Sequence, residues 1–278
     1  MVSSEQRRKQ LAREKYLRQQ KRRAEARRKA RIRTAAVAGG LVLVLAAGGA
    51  YAAAGGLAAD DKKKDDAASE PSATPSKAPD PCEKPRKGEP SKKQWDKEPK
   101  MSIDTSADYT MTLETTCGDI GVDLHTAEAP HTVNSFKFLA DQGFLDHSPC
   151  HRLVTEGIHV LQCGDPTGTG QGGPGYTIPD ENLKAPELKG DVYPAGTVAM
   201  ANRYNAQTGE NRDSGGSQFF LVYKDSKLPP DYTPFGKITE GMDVLQKIAK
   251  AGSTPDPQTG NTPPNATVVI DKAEVRKK

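Results

Sequence analysis

The residue types that are missing from two stretches of the sequence already indicate how the chain is divided into segments. No charged residue occurs from position 35 to 59, no proline or glycine occurs from 6 to 33, and no internal repeat is visible. A helix of 25 uncharged residues, rising about 1.5 Å per residue, can cross a hydrocarbon core of about 30 Å. This stretch predicts a single transmembrane helix over residues 35–59. The alternative, a buried helix of a soluble protein, is disfavoured by the different charges on its two flanks.

The positive charge is concentrated at one end of the chain. The first 33 residues hold 14 Lys and Arg against three Glu, which leaves 26 basic and 33 acidic residues beyond them. Because Lys and Arg mark the cytoplasmic flank of a span, residues 1–34 are predicted to be a basic cytoplasmic tail and the body to lie outside the cytoplasmic membrane. A signal peptide cleaved near Ala50, Tyr51 and Ala52 is the alternative, and it also exports the body.

The basic tail is rich in residues that favour a helix, and beside a span it is predicted to rest on anionic lipid headgroups or to be a disordered tail. Nothing in it indicates a nucleic-acid-binding domain. Residues 60–100 are dominated by Asp, Lys, Pro, Ser, Ala and Glu, which bury too little apolar surface to fold, so an extended linker is predicted there, with Cys82 standing alone. One folded domain is then expected over residues 101–278.

Strand signals outnumber helix signals within that domain. Period-two alternation or short apolar runs occur at eight places, namely 109–113, 120–124, 151–154, 158–162, 197–201, 218–223, 235–238 and 267–270. Two segments have helical spacing, one from Pro130 to Gly143 and one from Met242 to Gly252. The pattern predicts a mainly β domain whose closed or sandwiched sheet is capped by two helices.

Several apparent motifs do not hold up. A G-x-G-x-x-G match begins at Gly168, but Pro174 and Gly175 follow it where a phosphate-binding helix would have to begin, so a flexible loop is predicted. The surroundings of Ser217 lack the second glycine of a nucleophile elbow.

The four cysteines allow three pairings. The pairs His147/Cys150 and His159/Cys163 have spacings that zinc can use, but outside the cytoplasm a disulfide is favoured. Cys150–Cys163 is the preferred pairing because their strands would form a hairpin, and no metal is predicted.

An ordered series of short motifs is the most specific signal. Cys-His-Arg-Leu begins at Cys150, Gln-Cys-Gly-Asp at Gln162, Met-Ala-Asn at Met200, Ser-Gln-Phe-Phe at Ser217 and Thr-Pro-Phe-Gly at Thr233. This series, with the Gly-rich loop, resembles the cyclophilin family of peptidyl-prolyl cis-trans isomerases, whose stretches read Phe-His-Arg, Gln-Gly-Gly-Asp, Met-Ala-Asn, Ser-Gln-Phe-Phe and Val-Phe-Gly. The resemblance implies a closed eight-stranded antiparallel β-barrel capped by two α-helices, and peptidyl-prolyl isomerase activity. Together with the predicted topology, it gives an isomerase expected to assist the folding of exported proteins at the outer face of the cytoplasmic membrane.

The resemblance also implies roles for individual residues. Arg152, Gln162 and Phe220 are the expected catalytic residues, with Arg152 donating to the prolyl nitrogen and Phe220 forming the floor of an apolar slot. The expected substrate-binding residues are His159, Val160, Ala201, Asn202, Gln218, Leu228 and Tyr232. Because no covalent bond changes, neither a cofactor nor a metal is expected. The expected partners are Pro-containing polypeptides and, through one span, the membrane, with a monomeric catalytic domain and no nucleic acid.

The chain departs from the family pattern in the pocket. Residues 155–158 replace a shorter Pro-Gly turn, which places His159 where the family has an aromatic residue. Lys227 stands where the family often has Trp, and Tyr232 where it has His. These departures keep a second hypothesis open, namely a cyclophilin-like module that binds Pro-containing segments without useful turnover.

Overall fold

The computed structural model describes residues 79–257 and 261–278. The predicted basic tail, the predicted span at 35–59 and the first part of the predicted linker lie outside these residues. Within the described part of the chain, no helix is both long and apolar enough to cross a membrane.

Eleven strands and two α-helices make up the described domain. The helices are α1 (Pro130–Asp141) and α2 (Met242–Ala251), as the proline–glycine punctuation predicts. The strands are β1 (Tyr109–Thr115), β2 (Gly118–Leu124), β3 (Ser148–Pro149), β4 (Arg152–Val154), β5 (Val160–Cys163), β6 (Val192–Tyr193), β7 (Thr197–Met200), β8 (Phe219–Val222), β9 (Ser226–Lys227), β10 (Pro234–Glu240) and β11 (Val269–Lys277). Each of the eight predicted strand segments overlaps one of these strands; the two-residue strands β3, β6 and β9 carry no periodic signal.

The main sheet contains nine strands in the order β3-β11-β1-β2-β10-β7-β8-β5-β4, and β6 pairs with β9 in a separate two-stranded sheet. Every pairing is antiparallel. The two edge strands, β3 and β4, are separated in the chain only by Cys150 and His151, so the sheet curves back toward its own first strand. The mainly β prediction with two helices is confirmed, and the described main sheet has nine strands where eight were expected.

Strand β8 is buried on both faces, and the two faces serve different purposes. Phe219 and Leu221 belong to the main hydrophobic core, whereas Phe220 and Val222 belong to a smaller cluster on the other face. Because side chains alternate along a strand, a run of four buried apolar residues can serve two layers at once. The smaller cluster is where the predicted pocket residues gather.

The segment formed by residues 79–100, here called the arm, packs against the domain where the composition predicts an extended linker. Trp95 is half-buried, with its ring 5.0 Å from the ring of Phe138 and 5.7 Å from that of Phe144. The arm belongs to the same compact unit as the sheet, and that unit extends N-terminal of the predicted boundary at residue 101. The composition of a segment indicates only whether it can form a core of its own. The arm cannot do so, but its residues Cys82 and Trp95 pack against the core of the domain.

Polar contacts and a covalent bond hold the arm at other points. Cys82 forms a disulfide with Cys117, so it does not stand alone. Arg86 donates to Glu114 at 2.6 Å, and its backbone N–H donates to Asp271 at 3.0 Å. Near the end of the arm, the buried Asn134 side chain donates to the carbonyl oxygens of Pro99 and Lys100.

The second disulfide joins Cys150 and Cys163, as the sequence predicts. It lies beside the β4–β5 hairpin, in which Arg152 is the Cα partner of Gln162. The Sγ atoms of Cys150 and Cys163 are bonded to each other. In the described ranges, no group of three or more His, Cys, Asp or Glu side chains is placed to hold a metal ion.

Candidate active site

A single row of residues crosses four strands and carries the predicted catalytic side chains. Arg152 on β4 is opposite Gln162 on β5, Gln162 is opposite Phe220 on β8, and Phe220 is opposite Ala199 on β7. Directly opposed residues in an antiparallel sheet project from the same face. The strand register therefore places a guanidinium, an amide and an aromatic ring side by side.

A chain of hydrogen bonds fixes the orientation of Arg152. Its Nη1 donates to Gln162 Oε1 at 3.2 Å, Gln162 Nε2 donates to Gln218 Oε1 at 2.9 Å, and Gln218 Nε2 donates to the carbonyl oxygen of Gly172 at 2.8 Å. A guanidinium can only donate and a carbonyl can only accept, so both amides have one consistent orientation. Gln218 therefore supports Arg152 indirectly, through Gln162.

The Arg152 guanidinium keeps most of its donors available. A guanidinium carries five N–H donors. Among the described residues, its hydrogen bond to Gln162 engages one of them, and no carboxylate lies within ion-pair distance of it. The side chain is half-buried, so a ligand can reach it while one face stays packed.

Asp165 organises the Gly-rich loop that receives Gln218. Its carboxylate accepts hydrogen bonds from the N–H and hydroxyl of Thr167 and from the N–H groups of Gly170 and Gly172. Burial by itself would raise the pKa of Asp165, but these hydrogen bonds together outweigh it and lower that pKa. A Cβ on Gly172 would lie 2.0 Å from Asp165 Oδ1, so glycine is required there.

The smaller apolar cluster, which contains Phe220 of this row, is where the expected proline-pocket residues lie. Phe220, with 5% of its surface exposed, lies 5.5 Å from the ring of Tyr232 in an edge-on arrangement. Val160 is buried in the same cluster, and Leu228 and Ala201 pack against it as half-buried members. The structure therefore brings together five of the predicted pocket residues, namely Val160, Ala201, Phe220, Leu228 and Tyr232.

Tyr193 is a pocket residue that the sequence pattern does not reveal. It is fully buried in the same cluster, and its hydroxyl donates to the carbonyl oxygen of Tyr232 at 2.8 Å and accepts from the Tyr232 N–H at 3.2 Å. Burial raises its pKa, so the hydroxyl stays protonated. Tyr193 thereby holds the backbone that presents Tyr232, and it lies on a two-residue strand too short to show periodicity.

His159 does not reach this pocket. The ladder pairs Val160 with Val222, so His159 lies opposite Tyr223 on the other face, and the two rings are 5.7 Å apart. Ile158, one residue earlier, packs against the pocket cluster. The structure thus places Ile158 against the cluster where the family resemblance implied His159.

Asn202 and His151 complete the surroundings. The Asn202 side chain donates to the carbonyl oxygen of Asp231 at 2.7 Å and accepts from the Tyr204 N–H at 3.2 Å. His151 is buried, and neither ring nitrogen has a hydrogen-bond partner among the described residues. Burial lowers the pKa of His151; the Asp165 carboxylate opposes this shift and the positive charge of Arg152 adds to it.

Comparison with known proteins agrees with this arrangement. A family model described as "Cyclophilin type peptidyl-prolyl cis-trans isomerase/CLD" matches residues 110–275, more than half of the chain. The chain belongs to this family.

Two relatives and one solved structure illustrate the extent of the similarity. The probable peptidyl-prolyl cis-trans isomerase B of Mycobacterium tuberculosis is 46% identical over 171 residues, covering 58% of this chain and 53% of that protein. The peptidyl-prolyl cis-trans isomerase B of Bacillus subtilis is 37% identical over 131 residues, covering 47% of this chain and 82% of that protein. A crystal structure of a Cryptosporidium parvum cyclophilin-type isomerase is 27% identical, covers 62% of this chain and 99% of that one, and has a TM-score of 0.49. The chain spans about half the length of the mycobacterial protein.

The different placements of Ile158 and His159 in this cyclophilin-type domain give a direct prediction. Ile158→Ala is expected to raise KM for proline peptides about fivefold, because it removes roughly 1 kcal/mol of apolar contact beside the pocket. His159→Ala is the matched control on the neighbouring residue and is expected to leave KM within twofold. Steady-state kinetics on both variants check this. A larger change in KM for His159→Ala than for Ile158→Ala would show that His159, and not Ile158, contacts the substrate.

Proposed function

We propose that this protein is a peptidyl-prolyl cis-trans isomerase. The observation that carries the proposal is the row in which Arg152 and Phe220 lie two strands apart on one face, joined by Gln162. Two strand spacings are about 10 Å, which suits a prolyl ring over Phe220 with its peptide bond extending toward Arg152. Family membership supports the same reaction.

The chemistry required is the loosening of a partial double bond. The C–N bond resists rotation by about 18–20 kcal/mol because the nitrogen lone pair is delocalised. In the twisted state the prolyl nitrogen becomes pyramidal and its lone pair can accept a hydrogen bond. A guanidinium held by Gln162 stabilises that state and not the planar ones, which is differential binding of the transition state.

Apolar residues are proposed to bind the prolyl ring, and polar residues are proposed to bind the peptide units on either side of it. Phe220 and Val160 hold the prolyl ring away from water, and Gln162 and Asn202 are the nearby polar groups for the flanking peptide units. Accelerating a relaxation of tens of seconds by about 10⁵-fold needs only roughly 7 kcal/mol. The reaction breaks no covalent bond, so it calls for no nucleophile, cofactor or metal.

Exchange NMR on a proline peptide tests the proposal against the binding-module alternative. The full-length chain is expected to accelerate cis/trans exchange at catalytic concentration. Binding of the peptide without acceleration would replace the isomerase with a non-catalytic cyclophilin-like module. Neither binding nor acceleration would reject both.

We further propose that residues 35–59 anchor the isomerase at the outer face of the cytoplasmic membrane, where it assists the folding of exported Pro-containing proteins. The basic flank before residue 35 and the acidic one from Asp60 support this orientation. The two disulfides also support it, since disulfides persist in oxidising compartments.

Protease accessibility checks the orientation. Protease added to intact spheroplasts is expected to digest the C-terminal domain and to leave residues 1–34 protected, as judged with epitope tags at both ends. Protection of the C-terminal tag would mean the reverse orientation. A domain found free in the medium, beginning near Ala53, would indicate a cleaved signal peptide in place of an anchor.

A further inference from the structure

Part of the arm, at Gln94 and Trp95, lies at the rim of a cavity. Edge-on contact of the Trp95 ring with Phe138 and a tilted contact with Phe144 hold its position, and the backbone N–H of Trp95 donates to the carbonyl oxygen of Pro174 at 2.9 Å. These contacts place the neighbouring Gln94 beside the Gly-rich loop, where its Nε2 donates to the carbonyl oxygen of Gly173 at 2.7 Å. Gln94 is therefore exposed at a fixed place.

The cavity has a volume of about 350 Å³ and three kinds of wall. One wall is Gln162 of the row together with its hydrogen-bond partner Gln218. A second is the Gly-rich loop, and the third is Gln94 from the arm. Because the cavity shares Gln162 with the site where the prolyl ring is proposed to bind, a substrate bound there brings its neighbouring residues to this cavity.

The lining is polar, and its formal charge is positive. Of the described residues that line the cavity, Arg203 carries the only formal charge. Its Nη2 donates to the carbonyl oxygen of Gln171 at 3.3 Å, and among the described residues it forms no ion pair. A guanidinium without an ion pair, lining the same cavity as the neutral amide of Gln94, favours an anionic side chain in that cavity.

We infer that Gln94, carried by the arm, is a specificity-determining residue, and that the cavity favours substrates with an acidic side chain close to the proline. This inference rests on the proposed isomerase function. It adds a residue from outside the segment that the family model matches. The arm is then part of the substrate site as well as a connection to the preceding chain.

Two opposite charge substitutions test the inference on the full-length chain. The substrates are proline peptides in which each position within three residues of the proline carries Glu, Lys or Ala in turn. Gln94→Glu is expected to lower kcat/KM for the best Glu peptide about fivefold and to raise it for the matching Lys peptide, the effect of unit charges about 4 Å apart in water. Gln94→Lys is expected to shift both in the opposite sense, and the Ala peptide should change less than twofold.

Lys92→Gln is the matched control. It changes the net charge by the same amount as Gln94→Glu, lies on the same arm, and its side chain is 89% exposed and does not line the cavity. It is expected to leave the Glu/Lys preference unchanged. Shifts in the same direction for both Gln94 variants would indicate displacement of the arm and overturn the inference, as would an equal shift for Lys92→Gln.

Binding measurements separate this inference from the proposed function. Trp95 is the only tryptophan in the sequence and adjoins Gln94, so its fluorescence reports peptide binding without turnover. If the wild-type chain does not accelerate exchange, the isomerase proposal fails, and the Kd values of the same peptides still decide the role of Gln94. If exchange is accelerated but no preference changes, the inference alone fails.

Discussion

Replacement of Arg152 by alanine is expected to lower kcat/KM for proline isomerisation by at least about tenfold, a loss of more than about 1.4 kcal/mol of transition-state stabilisation. The physical reason is that the guanidinium donates to the prolyl nitrogen only when that nitrogen is pyramidal. The fold should survive, because Arg152 makes one side-chain hydrogen bond, to Gln162, among the described residues. Exchange NMR measures the rate, and urea unfolding measures the stability.

Two variants control for charge and for arginine loss in general. Arg152→Lys keeps the positive charge but replaces the planar fork with a mobile ammonium, so it is expected to recover only part of the rate. Arg276→Ala removes an exposed arginine from β11 and is expected to leave the rate unchanged. A folded Arg152→Ala variant with wild-type turnover would remove this residue from the mechanism.

Replacement of both Cys82 and Cys117 by serine is expected to lower the free energy of unfolding by about 3–4 kcal/mol, from the closure entropy of a loop with a sequence separation of 35. The bond also anchors the start of the arm. Fluorescence of the single tryptophan, Trp95, follows the arm during urea unfolding, and circular dichroism follows the sheet. The fluorescence transition of the variant is expected at lower urea than its circular dichroism transition.

Replacement of both Cys150 and Cys163 by serine is expected to affect the activity as well as the stability. Their smaller sequence separation of 13 gives an expected loss of about 3 kcal/mol. This pair borders the strands that carry Arg152 and Gln162, so its removal is expected to reduce kcat more than removal of the arm disulfide. A chelator should affect neither protein. Free thiols with stoichiometric zinc in the purified chain would contradict both disulfides.

Short-range patterns account for much of the domain that the sequence could predict. The helices from Pro130 and Met242 follow from proline and glycine at their ends, and the strands follow from alternation. These signals are local, since each depends on residues within one or two turns. The motif series also placed Arg152, Gln162 and Phe220 in one site, and the register aligns them in one row.

Placements that depend on register were harder to predict. His159 and Ile158 exchange roles because the insertion at residues 155–158 has no internal pattern that fixes where the strand begins. Tyr193 reaches the pocket from a two-residue strand, whose pairing with β9 is a long-range contact. A shift of one residue moves a side chain to the opposite face of a sheet, so a small uncertainty in alignment reverses the prediction.

By itself the sequence determined the family resemblance and the mainly β character, and it favoured the Cys150–Cys163 pairing that the structure shows. The catalytic roles of Arg152, Gln162 and Phe220 stay predictions. Only the tertiary structure decided that the arm packs on the domain, that Cys82 pairs with Cys117, and that Gln94 reaches the cavity beside the site. The arm has almost no apolar residues apart from Trp95, so its composition resembles that of a solvated linker. The conformation of the arm depends on contacts with residues that are distant in the sequence, such as Phe138, Phe144 and Asp271. A local sequence pattern within residues 79–100 cannot reveal such contacts.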